Sequence, residues 1–290
     1  MEQALKIGLP KGSLQESTFD LFRRAGFQIQ LSARSYFPLL DDPELEAVLF
    51  RAQELSQYVE DGVVDAGITG EDWIRENKSD VLEVCELIYS KSTSQPARWV
   101  LAVPNESAVA KVEDLEGGII ATELVNVTKE YFARKKVKVK VEFSWGATEV
   151  KARLLDGIVE ITETGSSLRA NNLRIIDTVT TSTTRLVANR AAWGDAFKRE
   201  KIEGLALLLQ GALEGREKVG LKMNLPLSKL DGVLRLLPAE KSPTVNYLAD
   251  KEYAALEVVL PERAARDLVP RLKKAGASGI FTYPLNTVIP

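Results

Sequence analysis

Carboxylates, hydroxyls and a small-residue turn lie together in residues 160–171 of this chain. Glu160 and Glu163 follow an apolar run, and Thr164-Gly165-Ser166-Ser167 comes directly after them. Carboxylates can hold ribose hydroxyls or a Mg²⁺ ion, whereas a small-residue turn that opens a helix offers backbone N–H groups and hydroxyls to a phosphate. The two chemistries in one short segment predict a site for a phosphorylated sugar rather than for a metal alone or a simple anion.

Two further turns of this kind, Lys11-Gly12-Ser13 and Thr69-Gly70-Glu71, each link an apolar run to a helix start. Ligands of open α/β sheets bind outside the carboxyl ends of strands, where such turns gather. Helix capping alone would also explain either turn, with Thr69 as an N-cap. Lys11 could neutralise a phosphate or be an exposed loop lysine, and we expect structural roles for Asp65 and Asp72.

Composition removes several classes of site. The 290 residues contain no histidine and one cysteine, Cys85, so imidazole bases, Ser-His-Asp triads and an internal disulfide are excluded and zinc is disfavoured. A metal should therefore be hard and oxygen-ligated, which indicates Mg²⁺ carried by the substrate. The net charge of −3 gives no reason to expect nucleic acid.

The chain carries no pattern of membrane insertion. Residues 1–13 lack the long apolar segment of a signal peptide, and no window has the apolar length of a membrane span. With a single cysteine, these features predict a cytoplasmic protein.

Apolar runs that alternate with helical periodicity predict an α/β fold with a mostly parallel sheet. The predicted strands are 5–9, 62–68, 99–103, 119–122, 137–143 and 157–162, and the predicted helices are 14–25, 128–135 and 147–155. A β-rich segment, 175–187, is long enough to carry the chain back to the first sheet.

After residue 213 the order of predicted elements becomes βαββαβ, the ferredoxin-like pattern. The strands are 219–224, 244–248, 252–260 and 278–283, and the helices are 227–236 and 261–275. Because this part contains no cluster of reactive residues, it is typical of a regulatory or assembly domain.

Residues 160–171 resemble the phosphoribosyl-diphosphate motif of the ATP phosphoribosyltransferase family, which opens histidine biosynthesis. The resemblance extends over nearly the whole chain, in segments 9–12, 61–72, 120–123, 146–149, 242–244 and 274–277. It implies two α/β domains of the periplasmic-binding-protein type (type II) and a ferredoxin-like third domain. The implied boundaries are 1–95 plus 180–212, 96–179, and 215–290.

The same resemblance implies a glycosyl transfer, in which N1 of ATP displaces diphosphate from C1 of the ribose, with Mg²⁺. It places the 5-phosphate on Thr164, Gly165, Ser166 and Ser167, and the ribose or Mg²⁺ on Glu160 and Glu163. Lys11 and Glu163 are the implied catalytic residues. ATP is expected at a facing wall that contains Gly12, Asp65, Gly67, Thr69 and Glu123.

The family likeness also implies inhibition by histidine and a homo-oligomer that interconverts between dimer and hexamer. Asn224, Thr244 and Ala277 are the implied inhibitor contacts. Four positions depart from the family pattern. Ser13 stands where many members have Arg, Glu160 where Asp is frequent, and Lys222 and Asn224 where an acidic residue would meet the inhibitor's amino group. The alternative function is a non-enzymatic intracellular sensor of a small anion with a clamshell fold.

Overall fold

Strands alternate with helices in the computed structural model, which describes residues 3–89, 95–238 and 243–289. The strands are β1 (Leu5–Lys11), β2 (Ile29–Gln30), β3 (Leu39–Leu40), β4 (Leu45–Arg51), β5 (Ala66–Gly70), β6 (Leu82–Leu87), β7 (Ala97–Pro104), β8 (Ile119–Thr122), β9 (Lys140–Phe143), β10 (Gly157–Thr162), β11 (Leu173–Ser182), β12 (Thr184–Ala188), β13 (Lys218–Pro226), β14 (Thr244–Tyr247), β15 (Tyr253–Pro261) and β16 (Ser278–Pro284). The helices are α1 (Gln15–Arg24), α2 (Ala52–Glu60), α3 (Glu71–Asn77), α4 (Val125–Lys135), α5 (Thr148–Lys151), α6 (Ser166–Ala170), α7 (Arg190–Gly194), α8 (Ala196–Arg216), α9 (Leu230–Leu234) and α10 (Glu262–Lys274).

One sheet has the strand order β4-β1-β5-β12-β6, and we call it with its helices the first lobe. Strand β1 pairs in parallel with β4 and β5, while β12 runs antiparallel to β5 and β6. Leu5, Ile7 and Leu9 are fully buried, so the apolar run that predicted β1 forms the core of this lobe. The carboxyl ends of β1, β4 and β5 consequently lie at one edge of the sheet.

A second sheet has the order β11-β7-β10-β8-β9 and forms, with its helices, the second lobe. Strands β8, β9 and β10 are parallel, and their core contains Trp99, Ile120, Phe132 and Val159. Strand β11 belongs to this lobe and β12 to the first, so Thr183 alone joins the two strands and the chain returns to its first sheet. Both lobes lie in one compact unit that ends at Ala206.

The second compact unit contains residues 207–290 with Arg24–Gly26. Its antiparallel sheet has the order β14-β15-β13-β16, and its elements follow the sequence βαββαβ. Leu221, Met223, Leu256, Leu268 and Leu272 fill the core of this unit. The α/β class and the ferredoxin-like C-terminal pattern are therefore confirmed.

Two strands are shorter than the segments predicted for them, 62–68 and 137–143. The N–H groups of Val63 and Val64 donate to the Tyr58 carbonyl and close α2, so β5 begins only at Ala66. Val137 is used in the same way, because its N–H donates to the Phe132 carbonyl after α4, and β9 begins at Lys140. In both places, hydrogen bonds that close the preceding helix use residues that the sequence pattern assigned to a strand.

Two helix predictions also need correction. Thr69 is not an N-cap: it pairs with Arg185 inside β5, and Gly70 occupies the cap position of α3. The helix predicted over 147–155 is reduced to α5, because Val150 and Leu154 are 60% and 81% exposed and offer no apolar face to a core.

No helix in the described ranges is both long and apolar enough to span a membrane. The predicted residue boundaries of the three domains remain predictions.

Candidate active site

A cavity of about 830 Å³ lies in the first compact unit and is lined by both lobes. The first lobe contributes Lys11, Arg51 and Gly70 from the carboxyl ends of β1, β4 and β5. The second contributes Glu160 and Thr162 from the carboxyl end of β10, with the adjacent Glu123 and Glu163. The cavity is therefore built by strand ends, as the general rule for α/β sheets predicts.

The first-lobe wall is cationic. Strands β1 and β4 pair in register with Lys11 opposite Arg51, so the two cations lie side by side at the edge of the sheet. The Lys11 ammonium is 3.5 Å from the centroid of the Tyr36 ring, and by hydrogen bonding and charge it lowers the pKa of the Tyr36 phenol. Gly12 follows with a φ of +104°, a conformation that favours glycine. This wall can attract a polyphosphate.

The second-lobe wall is acidic. Burial raises the pKa of Glu160 to about 7, against a hydrogen bond from Thr148, and the carboxylates of Glu149 and Glu123 raise it further. Glu123 also accepts a 3.2 Å hydrogen bond from the Gln53 amide of the first lobe. Glu163 lines the same cavity. A carboxyl with a pKa near neutrality can both donate to and accept from a sugar hydroxyl.

The turn at residues 164–167 has the predicted form. Gly165 occupies the cap position of α6 with a φ of +74°, and its N–H donates to the Thr162 hydroxyl at 2.7 Å. The hydroxyls of Thr164 and Ser166 are 3.1 Å apart, and both residues are exposed. The turn follows the cavity-lining carboxylates along the chain but is not itself part of that lining.

Two neighbours already engage this turn. The Ser167 hydroxyl donates to the Glu149 carboxylate, and an Arg169 N–H donates to the Thr164 carbonyl at 2.9 Å. Arg169 therefore supports the backbone of the turn. The Ser167 hydroxyl can donate to a phosphate only after leaving Glu149.

Of the residues predicted to contact ATP, Gly12 and Glu123 line the cavity but Asp65, Gly67 and Thr69 do not. Asp65 precedes the amino end of β5, the end remote from the cavity, and accepts hydrogen bonds from the Lys6 N–H and the Lys198 ammonium. A Cβ at Gly67 would lie 2.2 Å from Leu55 Cδ2, so this glycine allows α2 to pack. Thr69 is fully buried and donates to the Ala52 carbonyl. These three residues make structural contacts in the first lobe, and their contact with ATP stays a prediction.

Sequence reasoning missed Arg51, Tyr36 and Gln53, which also line the cavity. Arg51 carries the signal that identified Lys11, a basic residue directly after an apolar strand, and could have been found from it. Tyr36 and Gln53 reach the cavity through a loop and a helix start whose positions no local pattern reveals.

The predicted inhibitor residues lie in the second compact unit. Thr244 pairs with Glu257, and Asn224 pairs with Ala255, which lies two residues before Glu257 on β15. Residues that pair directly share a sheet face, so Thr244 and Asn224 lie on one face. Ala277 is 2% exposed and belongs to the core on the other face. Ser242, which shared the family-like segment with Thr244, lies outside the described residues.

Comparisons with known proteins agree along the whole chain. Residues 51–211 match the family described as HisG, ATP phosphoribosyltransferase, and residues 215–287 match HisG, C-terminal domain. The ATP phosphoribosyltransferase of Chlorobium phaeobacteroides is 57% identical over 290 residues, covering 100% of this chain and 99% of the relative. That of Chlorobium luteolum is 58% identical over 288 residues, covering 99% and 98%.

Among solved structures, a chain of the ATP phosphoribosyl transferase (HisG:HisZ) complex from Thermotoga maritima matches with a TM-score of 0.61 and 27% identity. The match covers 72% of this chain and 98% of that one. Tv2483 bound to L-arginine matches with a TM-score of 0.50 and 14% identity over 73% of this chain and 85% of its own, a likeness of fold alone.

Proposed function

Because the chain belongs to the ATP phosphoribosyltransferase family and transfers a phosphoribosyl group to ATP in histidine biosynthesis, we propose that this transfer takes place in the cavity between its two lobes. The observation that carries the proposal is the pairing, in one cavity, of the cations Lys11 and Arg51 with the carboxylates Glu160 and Glu163. A diphosphate needs cations and a ribose needs hydrogen-bonding carboxylates, so the two walls match the two parts of phosphoribosyl diphosphate.

Each part of this substrate has its own contacts in the proposal. The diphosphate lies against Lys11 and Arg51, and the ribose hydroxyls bind Glu160 and Glu163. The 5-phosphate binds the turn at residues 164–167, first through backbone N–H groups and the hydroxyls of Thr164 and Ser166. The Ser167 hydroxyl then breaks its hydrogen bond to Glu149 and donates to the bound phosphate instead. ATP lies near Gly12 and Gln53 of the first lobe and Glu123 of the second.

The reaction is a displacement at C1 of the ribose. The lone pair of adenine N1 forms the new C1–N bond while the C1–O bond breaks, and the electron pair of that bond leaves with the diphosphate. Because N1 is already a nucleophile, no side chain has to activate it, and a chain without histidine suffices. Lys11 and Arg51 stabilise the charge that develops on the diphosphate, and positioning supplies the remainder of the catalysis.

Mg²⁺ is proposed to arrive with the diphosphate. Within the described ranges no three Asp, Glu, Cys or His side chains are grouped so as to hold an ion. Mg²⁺ at phosphate sites commonly binds one or two carboxylates together with substrate phosphates. Glu160 and Glu163 can supply that smaller number, so these residues fit a Mg²⁺ chelate of the substrate, whose charge the ion would neutralise.

The activity is tested with ATP, phosphoribosyl diphosphate and Mg²⁺, with the product removed by a coupled enzyme. We expect new ultraviolet absorbance from the alkylated adenine and one diphosphate released for each molecule formed. Diphosphate release without the new chromophore would contradict transfer to N1. No release at all would contradict the activity, and would favour an anion sensor.

Inhibition by histidine is proposed for the second compact unit. Support comes from the match of residues 215–287 to the family's C-terminal domain and from the shared sheet face of Asn224 and Thr244. Glu257 pairs with Thr244 on that face, and its Oε2 lies 3.9 Å from the Lys222 ammonium. Glu257 can therefore meet the amino group of an amino acid, the role for which no acidic residue was found at 222–224. Ala277, being buried, contributes through its backbone.

A homo-oligomer that changes between dimer and hexamer, and a cytoplasmic location, complete the proposal. The single cysteine suits a reducing compartment. Sedimentation of the full chain with and without histidine tests the first point, and cell fractionation tests the second.

A further inference from the structure

Helix α3 starts at the end of β5 in the first lobe, yet two of its carboxylates bond to the second lobe. The Asp72 carboxylate accepts a 2.6 Å hydrogen bond from the indole N–H of Trp99 on β7. The Glu76 carboxylate accepts from the backbone N–H groups of Asn126 at 2.8 Å and Val127 at 3.0 Å, at the start of α4. Asp72 and Glu76 are 3% and 8% exposed, so both carboxylates are buried where the lobes meet.

The Glu76 carboxylate caps the start of α4 in the second lobe. Leu124 occupies the N-cap position of α4 and its side chain makes no cap hydrogen bond. Unpaired N–H groups at a helix start are costly when buried, and a negative charge there is favourable. Glu76 supplies the missing cap from another helix, and the Asn126 amide returns a bond to the Glu76 carbonyl at 2.9 Å.

Asp72 makes the corresponding connection beside the cavity. Its carboxylate also accepts from the Trp73 N–H at 3.0 Å, and its own N–H donates to the hydroxyl of Ser182, the last residue of β11. Trp73 and Trp99 pack edge to face with ring centroids 5.9 Å apart. Asp72, Trp99 and Ser182 all line the cavity, so this junction forms part of its wall.

We propose that α3 fixes the relative position of the two lobes, and that Asp72 and Glu76 are positioning residues for phosphoribosyl transfer. The inference rests on the proposed function, in which the cations and the ribose-binding carboxylates lie on opposite lobes. The distance from the attacking N1 to C1, and from the leaving diphosphate to Lys11, is then set by how the lobes are held. A misplacement of about 1 Å in such a geometry costs about 100-fold in rate.

Two variants of the full-length enzyme remove or weaken these bonds with little change of shape. Trp99→Phe deletes the donor to Asp72 and keeps an aromatic ring, and Glu76→Gln replaces the capping carboxylate by an amide that lies outside the cavity lining. We expect kcat to fall by about 10- to 100-fold while the Kd for phosphoribosyl diphosphate and the KM for ATP change by less than about 3-fold. Amide exchange at Asn126 and Val127 should accelerate in Glu76→Gln.

Glu71→Gln is the matched control. Glu71 begins the same helix, but its partner Arg185 lies on β12 of the same lobe, so its kcat should remain near wild type. An unchanged kcat in Glu76→Gln, or a loss explained by weaker binding of either substrate, would overturn the proposal. If Trp99→Phe fails to fold, as judged by circular dichroism, Glu76→Gln decides alone. A wild-type enzyme without turnover would instead refute the proposed function, and exchange at Asn126 and Val127 would still test the bridge.

Discussion

Lys11 and Arg51 stand side by side because β1 and β4 are parallel and in register. Neither residue alone defines a diphosphate site, since a single exposed lysine is common on any protein surface. Two cations that face carboxylates across one cavity are more informative, because the charges match a substrate with an anionic leaving group. The role proposed for Lys11, stabilisation of the leaving diphosphate, can be tested directly.

Lys11→Met should lower kcat by about 100-fold, because it removes a cation that acts most strongly as charge develops on the diphosphate. Lys6→Met is the matched control, since Lys6 lies on the same strand with an exposed side chain outside the cavity lining. Steady-state kinetics of both variants provide the measurement. Equal losses in the two would show that the effect is not specific to the cavity.

The carboxyl of Glu160 makes stability depend on pH. Its pKa is about 7 in the folded protein against an ordinary value of 4.5, so ionisation is harder in the folded state. Below pH 4.5 the Glu160 carboxyl is protonated in both the folded and the unfolded state, so it does not lower stability. As pH rises from 4.5 to 7 the unfolded state ionises first, and the free energy of unfolding should fall by up to about 3 kcal/mol. Urea unfolding at pH 5 and pH 8 should show a smaller fall in Glu160→Gln than in wild type.

Glu130→Gln, on the exposed side of α4, is the control for that measurement and should follow the wild-type curve. Identical pH dependence in wild type and Glu160→Gln would contradict the assignment of the raised pKa to Glu160.

At the scale of elements, the turn at residues 164–167 depends on one backbone conformation. Gly165 has a φ of +74°, and a Cβ there would lie 2.9 Å from an Arg169 guanidinium nitrogen that supports the turn. Any side chain at this position therefore strains the backbone of the turn and also displaces the Arg169 guanidinium that supports it.

Gly165→Ala should weaken binding of phosphoribosyl diphosphate by about 10-fold or more, since the left-handed conformation costs about 1–2 kcal/mol for a residue with a Cβ. The bulkier Gly165→Val should abolish binding without unfolding the protein. Calorimetric titration measures affinity, and thermal melting checks the fold. Gly194→Ala is the control, because a Cβ there meets no atom within 4 Å. Unchanged affinity in Gly165→Ala would remove the phosphate assignment from this turn.

Local patterns predicted most of these elements but not their neighbours. The apolar run before Glu160 and the small residues after it were enough to predict β10 and the turn that opens α6. Spacing could not reveal that Asp65 lies at the remote end of β5, because its partner Lys198 is 133 residues away along the chain. The hydrogen bonds between α3 and the second lobe were not predictable from the sequence for the same reason, since only tertiary packing brings Trp99 to Asp72.

At the scale of the whole molecule, the proposed catalytic cavity and the predicted inhibitor site lie in different compact units. The two activities should therefore be separable by substitution.

Thr244→Ala should raise the histidine concentration needed for half-inhibition by about 10-fold, the cost of one lost hydrogen bond to a charged ligand, and leave kcat without histidine unchanged. Initial rates at increasing histidine give both quantities. Arg263→Ala is the control and should keep the wild-type response, because this exposed residue lies on α10, which packs against the other face of the sheet. A wild-type enzyme that neither binds histidine in calorimetry nor is inhibited by it would contradict the regulatory proposal.

The arrangement of phosphoribosyl diphosphate in the cavity is the central claim, and a crystal structure of the enzyme with this substrate and Mg²⁺ tests it most directly. We predict that the diphosphate lies within hydrogen-bonding distance of the Lys11 and Arg51 side chains, the ribose against Glu160 and Glu163, and the 5-phosphate on the turn at residues 164–167. A sugar phosphate bound away from this turn, or a diphosphate that contacts neither cation, would contradict the account.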